Sequence, residues 1–487
     1  MNLKSKMFGC WALLIFSTVI HAQSKVDWIS TTESSVWKKQ NSIALSKISA
    51  AADLIINTDS LLQKIEGFGS CFNETGWTSL KLLSPETRES ILKELFAPGV
   101  GANFTYCRMP IAANDFAEGW YSYNETDADF DMKNFSINHD KTTLIPFIKS
   151  AQKYNPSLKI WASPWSPPSW MKKNKHYALM SLQKGITNGQ SEEWGIDFRG
   201  LENGLNPNAQ GKEGTDMFIQ EEKYFKAYAL YFSKFIQAYK AQNITISMVM
   251  PQNEFNSAQP FASCTWTAKG LANFISYLGP QMQSQHVDVF FGTMERANAK
   301  LVDTLLTSAQ SKQWVKGVGF QWAGKDAIPV IHKNYPSLNL YQSEQECGNG
   351  TNSWKYAKYS WSLMKHYFQN GVSAYFYWNT SLKKGSISKW GWKQNSLVVV
   401  DTIHHSFQYT YDYYAIKHLS HFVQKGASML QLSGSFNNAL AFINPDKSIA
   451  IIIQNDHDKP KTVHIKIGNK EIDPELQADS INSFLIK

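Results

Sequence analysis

Cysteine is scarce in this chain, five in 487 residues, and none forms a CxxC pair. Such wide spacing gives neither a disulfide framework nor a zinc signature, so buried free thiols suit the sequence at least as well as bridges. Long basic runs are also missing. The formal net charge is +8, from 48 Lys+Arg against 40 Asp+Glu, but the bases are dispersed in short groups such as Lys172–Lys173. No basic stripe or nucleic-acid module appears, so no nucleic-acid partner is expected. No stretch reaches the ~18 apolar residues of a membrane-spanning helix, so no stable membrane anchor is expected. No Gly-rich phosphate turn follows the first candidate barrel strand, and no ligand cluster implies a metal, so no cofactor is expected. Internal repeats and low-complexity linkers are absent as well.

What the chain has in abundance is aromatic residues: 14%, with 17 Trp, 21 Tyr and 28 Phe. That density suits large packed cores or surfaces that stack on sugars. With 43% hydrophobic and 18% charged residues the composition is that of a globular protein. The first residues follow another logic. Lys4 and Lys6 precede an apolar stretch from Met7 to Ile20, and Ala22 offers a small residue for cleavage. This is the pattern of a signal peptide over residues 1–22, and it predicts a secreted or periplasmic protein. Cys71, Cys107, Cys264 and Cys347 would remain after cleavage.

From Gly67 to about Thr402, short apolar runs alternate with segments of helical period. The candidate strands are Gly67–Cys71, Phe104–Met109, Lys159–Ser163, Ile246–Pro251, Val287–Gly292, Val318–Gln321, Leu338–Gln342 and Ser373–Tyr377. Helical candidates between them include Ser84–Leu95, Leu144–Tyr154, Glu221–Ala241, Thr267–Ser284 and Lys355–Gln369. This alternation predicts an α/β fold, a (β/α)8 TIM barrel over residues 67–405. After a helical piece around Tyr411–Leu419, residues 406–487 carry short strands, Ala439–Ile443, Ser448–Ile453, Thr462–Ile467 and Ser480–Ile486. They predict a small antiparallel β-sandwich beside the barrel. The strands read within residues 23–66, Ser42–Ser46 and Ala52–Ile56, are expected to complete it.

In a barrel of this kind reactive residues sit just past the C-terminal strand ends. Those positions hold Arg108; Trp165 and Trp170; Asn253 and Glu254; Gln321 and Trp322; Glu344 and Glu346; and Trp378. Strands four and seven face each other across an eight-stranded ring, so Glu254 and Glu344 can converge over its mouth. Two convergent carboxyls are what glycosidic cleavage needs: one protonates the leaving oxygen, the other attacks or stabilises the sugar cation. Asn253 is placed to bond a sugar 2-hydroxyl, and Trp165, Trp170, Trp322 and Trp378 to wall the sugar. A period-two strand aims Glu344 and Glu346 to the same side, so pattern leaves both open as the second acid. Glu295, after the fifth strand, reads as structural.

Several segments resemble glycoside hydrolase family 30. Gln63–Gly69 looks like that family's opening strand, Arg108–Phe116 its second-strand motif, and Ala162-Ser-Pro-Trp-Ser-Pro-Pro-Ser-Trp-Met-Lys172 its third-strand signature. Gln252-Asn-Glu-Phe255 resembles the acid/base motif, Tyr341–Gly348 the nucleophile motif, and Tyr413–Gly426 the segment leading into a side β-domain. The resemblance implies a retaining β-glycosidase with Glu254 as acid/base and Glu344 as nucleophile. It implies that Arg108 supports the nucleophile and that Asp115, Trp165 and Trp378 hold the terminal sugar. Asn253 matches the amide beside the acid, and Asn395 a late-loop residue near the pocket. Phe255 stands where the family usually has Pro, and Ala323 where related sequences often have a larger or acidic residue, which implies a reshaped fourth loop and a more open sixth. The expected carboxyl separation is roughly 5–5.5 Å, with a raised pKa on Glu254 and a low one on Glu344. The implied substrate is a β-linked glucan or glucoside, β-1,6-glucan first, then glucosylceramide, β-xylosides or β-fucosides. A carbohydrate-binding protein without catalysis and a structural envelope protein are the readings from other classes. The sequence sets no oligomeric state.

Overall fold

A computed structural model describes residues 25–48, 51–185 and 189–487. The expected signal peptide lies outside them. Eight parallel strands close a barrel among the described residues: β1 (Gly67–Cys71), β2 (Tyr106–Ile111), β3 (Lys159–Pro164), β4 (Ile246–Val249), β5 (Asp288–Met294), β6 (Val315–Gln321), β7 (Asn339–Glu344) and β8 (Val372–Asn379). Neighbours follow chain order, and β8 returns to β1 through pairs such as Phe376 with Gly69. The strands are near-continuous apolar runs because a parallel barrel strand is covered on both faces; every residue of β2 and β8 is buried. At β1, a Cβ on Gly69 would lie 1.7 Å from the Tyr106 carbonyl oxygen, so only glycine allows β2 to come this close.

The helices lie within a residue or two of their expected bounds, and two of their starts are chemically marked. Ser84 accepts from the Thr87 amide at 3.2 Å ahead of Pro85, and Thr267 accepts from the Gly270 amide at 2.9 Å. Strand ends moved more: β2 starts two residues later than expected and β6 three earlier, since pairing with neighbours rather than local pattern sets them.

Strands from both chain ends form one sheet. Lys25–Thr31 pairs antiparallel with Ser480–Ile486, and Leu54–Lys64 with Ser428–Gly434. Val26, Trp28, Leu54, Leu430, Ile451 and Phe484 share one apolar core, so the sheet folds over itself. It is not wholly antiparallel: Ile465–Ile467 runs parallel to Leu54–Ile56. Nor is Thr462–Ile467 one strand. The His464 amide donates to Asp53 Oδ2 at 2.9 Å, which draws the chain off Lys461–Thr462 and onto a different partner strand. Helix Tyr411–Ser420, beyond the expected barrel boundary at 405, packs on helix Trp354–Gln369 and on Ser480–Ile486. Its His418 bonds Thr31 Oγ1 and Ser483 Oγ, both at 2.8 Å, and burial pushes its pKa down to about 3, so it stays neutral. Cys71, Cys107, Cys264 and Cys347 are free and buried.

Candidate active site

The C-terminal strand ends surround a cavity of about 400 Å³. Asp115, Trp165, Asn253, Glu254, Trp322 and Glu344 line it, together with Glu346 and Glu295. Glu254 and Glu344 are 8% and 7% exposed, and their surroundings differ.

Glu344 ends β7. Its Oε2 accepts from Arg108 Nη1 at 2.6 Å. Arg108 is fully buried; its Nη2 donates to Asn253 Oδ1 at 2.7 Å and Ser163 Oγ at 2.9 Å. Its guanidinium carbon also sits 4.4 Å from the Trp165 ring centroid and 4.8 Å from that of Trp161. Packed tryptophan faces and a carboxylate together hold the charge inside. Glu254, beyond β4, meets neutral amides instead. Gln321 Nε2 donates to its Oε1 at 3.2 Å and Gln259 Nε2 to its Oε2 at 3.5 Å. Its backbone adopts φ +44°, unusual for a residue with a Cβ, and its amide donates to Thr293 Oγ1 at 2.8 Å.

Burial raises the pKa of Glu254, and it raises that of Glu344 too, against the pull of Arg108 and helped by the nearby Asp115 and Glu254 charges. The low Glu344 value expected from sequence is therefore not found: desolvation outweighs the guanidinium. Still, among the described residues the one cation bonded to either carboxyl lies on Glu344. A single negative charge shared by the pair is best held there, with the proton on Glu254. Asp115 is pushed up to about 7 by burial and then by the Glu254 charge.

Glu346 points to other partners. Its carboxyl accepts from Lys325 Nζ at 2.9 Å and from the Tyr359 hydroxyl at 2.5 Å. Between the two acids Gln345 turns away, donating to Ser360 Oγ at 2.7 Å.

Other expected residues sit off the cavity wall. Arg108 does not line it but backs Glu344. Trp378 is fully buried and stacks on Trp165, with centroids 5.1 Å apart. Asn395 is buried among backbone: its Oδ1 accepts from the Gly350 and Asn352 amides at 2.9 and 3.0 Å, and its neighbour Gln394 lines the cavity instead. Trp170 packs against Phe130 and donates to the Asn124 carbonyl at 3.0 Å. Phe255 is buried against Phe291.

Sequence reasoning gave no role in the site to four groups. Gln321 and Thr293 were legible as polar residues at the ends of β6 and β5. Thr293 Oγ1 donates to Asn253 Oδ1 at 3.2 Å and Gln321 Nε2 at 3.3 Å. With Arg108 these donors occupy that oxygen, so Asn253 offers its NH2 to the cavity. Glu295 is buried with Oε2 unpartnered; burial, then the Glu254 charge, pushes it up to about 8 against Arg296. Trp194 lies on no barrel strand and carried no signal. Among the described residues no group of three or more His, Cys, Asp or Glu is placed to hold a metal, and no helix is long and apolar enough to cross a membrane.

The family model described as "Glycosyl hydrolase family 30 TIM-barrel domain" matches residues 65–194 and 206–423, and "Glycosyl hydrolase family 30 beta sandwich domain" matches residues 426–484. "Putative glucosylceramidase 1" of Caenorhabditis elegans is 28% identical over 440 residues, 84% of this chain and 77% of the relative. "Endo-1,6-beta-D-glucanase neg1" of Aspergillus fumigatus is 26% identical over 434 residues, 84% of this chain and 82% of the relative. The crystal structure of SrfJ from Salmonella typhimurium superposes with a TM-score of 0.82 at 21% identity, covering 95% of this chain and 99% of that one.

Proposed function

The chain belongs to glycosyl hydrolase family 30 and is a glycosidase, and on that premise we propose that it cleaves β-glucosidic linkages, foremost those of linear β-1,6-glucan, by double displacement on Glu344 and Glu254. The observation that carries the reading is the unequal pair of carboxyls: among the described residues, Arg108 bonds the Glu344 carboxyl and only neutral amides bond that of Glu254.

In this mechanism a Glu344 oxygen attacks the anomeric carbon as the glycosidic C–O bond breaks, and Glu254 gives its proton to the leaving oxygen. The glycosyl-enzyme is then opened by water. Glu254, now a carboxylate, takes the water proton, the new oxygen bonds the anomeric carbon, and Glu344 leaves as carboxylate. This chemistry wants carboxyls roughly 5–5.5 Å apart. Arg108 positions Glu344 and Asn253 together, so the nucleophile and the amide facing the 2-hydroxyl are set by one guanidinium. Trp165 offers the sugar an apolar face, and Asp115 a polar group at the closed end.

The β-1,6 choice is supported by the Aspergillus relative. The Caenorhabditis relative keeps glucosylceramide as the second substrate, with the same glucosyl group and a lipid beyond the cleaved bond. The test is NMR of the fresh anomer released from linear β-1,6-glucan. We expect a β product, lost in Glu344→Gln and retained in Glu346→Gln. An α product, or loss in Glu346→Gln alone, overturns the mechanism; release only from glucosylceramide overturns the polymer. Lys4, Lys6 and the apolar stretch Met7–Ile20 support export with cleavage after Ala22. A mature N-terminus at Gln23, read by mass spectrometry on protein collected outside the cytoplasm, is the expected result.

A further inference from the structure

Gln190–Ser191 pairs antiparallel with Ile196–Asp197, making a short hairpin with Trp194 at its turn. Residues 195–205, the second half of this arm and the chain that follows it, fall between the two segments that the family model matches. The arm is firmly seated. The Lys393 amide donates to the Gly195 carbonyl at 2.6 Å, the Asp197 amide to that of Gly391 at 2.8 Å, and Asn349 Nδ2 to that of Glu192 at 2.9 Å. Gly195 has φ +64°, and a Cβ there would lie 1.9 Å from the Lys393 carbonyl oxygen, so the close approach demands glycine.

This seating puts apolar surface at the cavity mouth. Trp194 is 43% exposed, and its ring meets Trp322 with centroids 5.8 Å apart at 62°. Both tryptophans and Ile196 line the cavity. Asp115 and Trp165, which line the same cavity, are buried and mark its closed end. Trp322 directly follows Gln321, whose amide touches Glu254. A glucosyl unit seated at the closed end therefore leaves its aglycone running past Glu254 toward the two tryptophans.

We propose that the Gln190–Asp197 arm, through Trp194 set against Trp322, forms a subsite for the β-linked glucosyl units beyond the cleaved bond and so selects chain substrates over small glycosides. The proposal rests on the β-glucan reading above. An exposed indole at a cavity mouth offers a face on which a pyranose ring can stack. Lys325, Glu346, Arg296 and Gln259 share the same lining, and their polar groups suit sugar hydroxyls rather than acyl chains.

The experiment measures kcat and KM of the full chain, Trp194→Ala and Trp194→Phe on β-1,6-linked gluco-oligosaccharides of increasing length and on β-glucosyl fluoride, whose leaving group is a single atom. Loss of one stacking face should raise KM for the longer oligosaccharides about fivefold in Trp194→Ala, with kcat held. β-Glucosyl fluoride should be unaffected, and Trp194→Phe should recover most of the loss. Equal losses on both substrates, or none on either, overturn the subsite while the β-glucan reading stands. A wild type that hydrolyses the fluoride but no β-1,6-oligosaccharide overturns that reading and the subsite with it.

Discussion

The ends of β4 and β7 carry the same residue type at nearly the same depth, yet they are built as opposites. Glu344 lies against a guanidinium that three tryptophan rings enclose, at 4.4 to 5.5 Å from their centroids. Glu254 sits on a left-handed backbone among side-chain amides. Burial pushes both carboxyls toward the protonated form; the partner decides which one yields its proton. The proposed division of labour between the two glutamates thus rests on β2, which delivers Arg108 to one side only.

The sharpest way to break this comparison is at the β7 end. Glu344→Gln should lower kcat by about 10⁴-fold or more, because the displacement has no other nucleophile. Glu254→Gln should cost about 10²- to 10⁴-fold on glucan, but far less in the first step of β-glucosyl fluoride cleavage, which needs no proton. Pre-steady-state release of fluoride separates the two, and equal losses would erase the asymmetry. Arg108→Met removes the guanidinium, so the Glu344 pKa should climb further. Its ionised form is then reached only at higher pH, and the acidic limb of the kcat/KM profile should move up by about one unit. An unmoved limb would detach Arg108 from the nucleophile.

Glu295 tests burial without a cation bonded to its carboxyl. Its folded pKa of about 8 stands above the ordinary 4.5, so between these values the folded chain holds a proton that the unfolded chain has lost. Its contribution to stability is therefore fully present at acid pH and falls as pH rises toward 8. Glu295→Gln removes that decline. Relative to wild type, the variant should be more stable at pH 8 than at pH 4 by about 4 kcal/mol, measured by denaturant unfolding. The smallest effect belongs to Glu346→Gln. It weakens contacts to Lys325 and Tyr359, costing about 1 kcal/mol of stability with turnover held.

Strands β1, β3 and β8 and the long helices were legible because buried parallel strands and amphipathic helices write their period locally. Once the barrel is granted, Glu254, Glu344, Asn253, Trp165 and Trp322 follow from strand-end position alone, and the structure does line the cavity with all five. Arg108, Trp170 and Trp378 share that sequence signal but lie behind the wall, since a strand-end position does not say whether a side chain faces the cavity or the layer beneath it. Thr462–Ile467 read as one strand because alternation continues through Val463 and His464; the switch of partner is made by Asp53, over 400 residues away.

By itself the sequence determined the barrel, its order of strands and helices, and the chemical types gathered at its mouth, because these depend on periodicities and residue kinds within short windows. Tertiary structure alone decided that Glu344 takes the guanidinium while Glu346 takes Lys325 and Tyr359, and that Trp194 reaches the cavity from outside the barrel strands. Hydrogen bonds and desolvation act over a few ångströms between residues far apart in the chain, and no local pattern records which of them will meet.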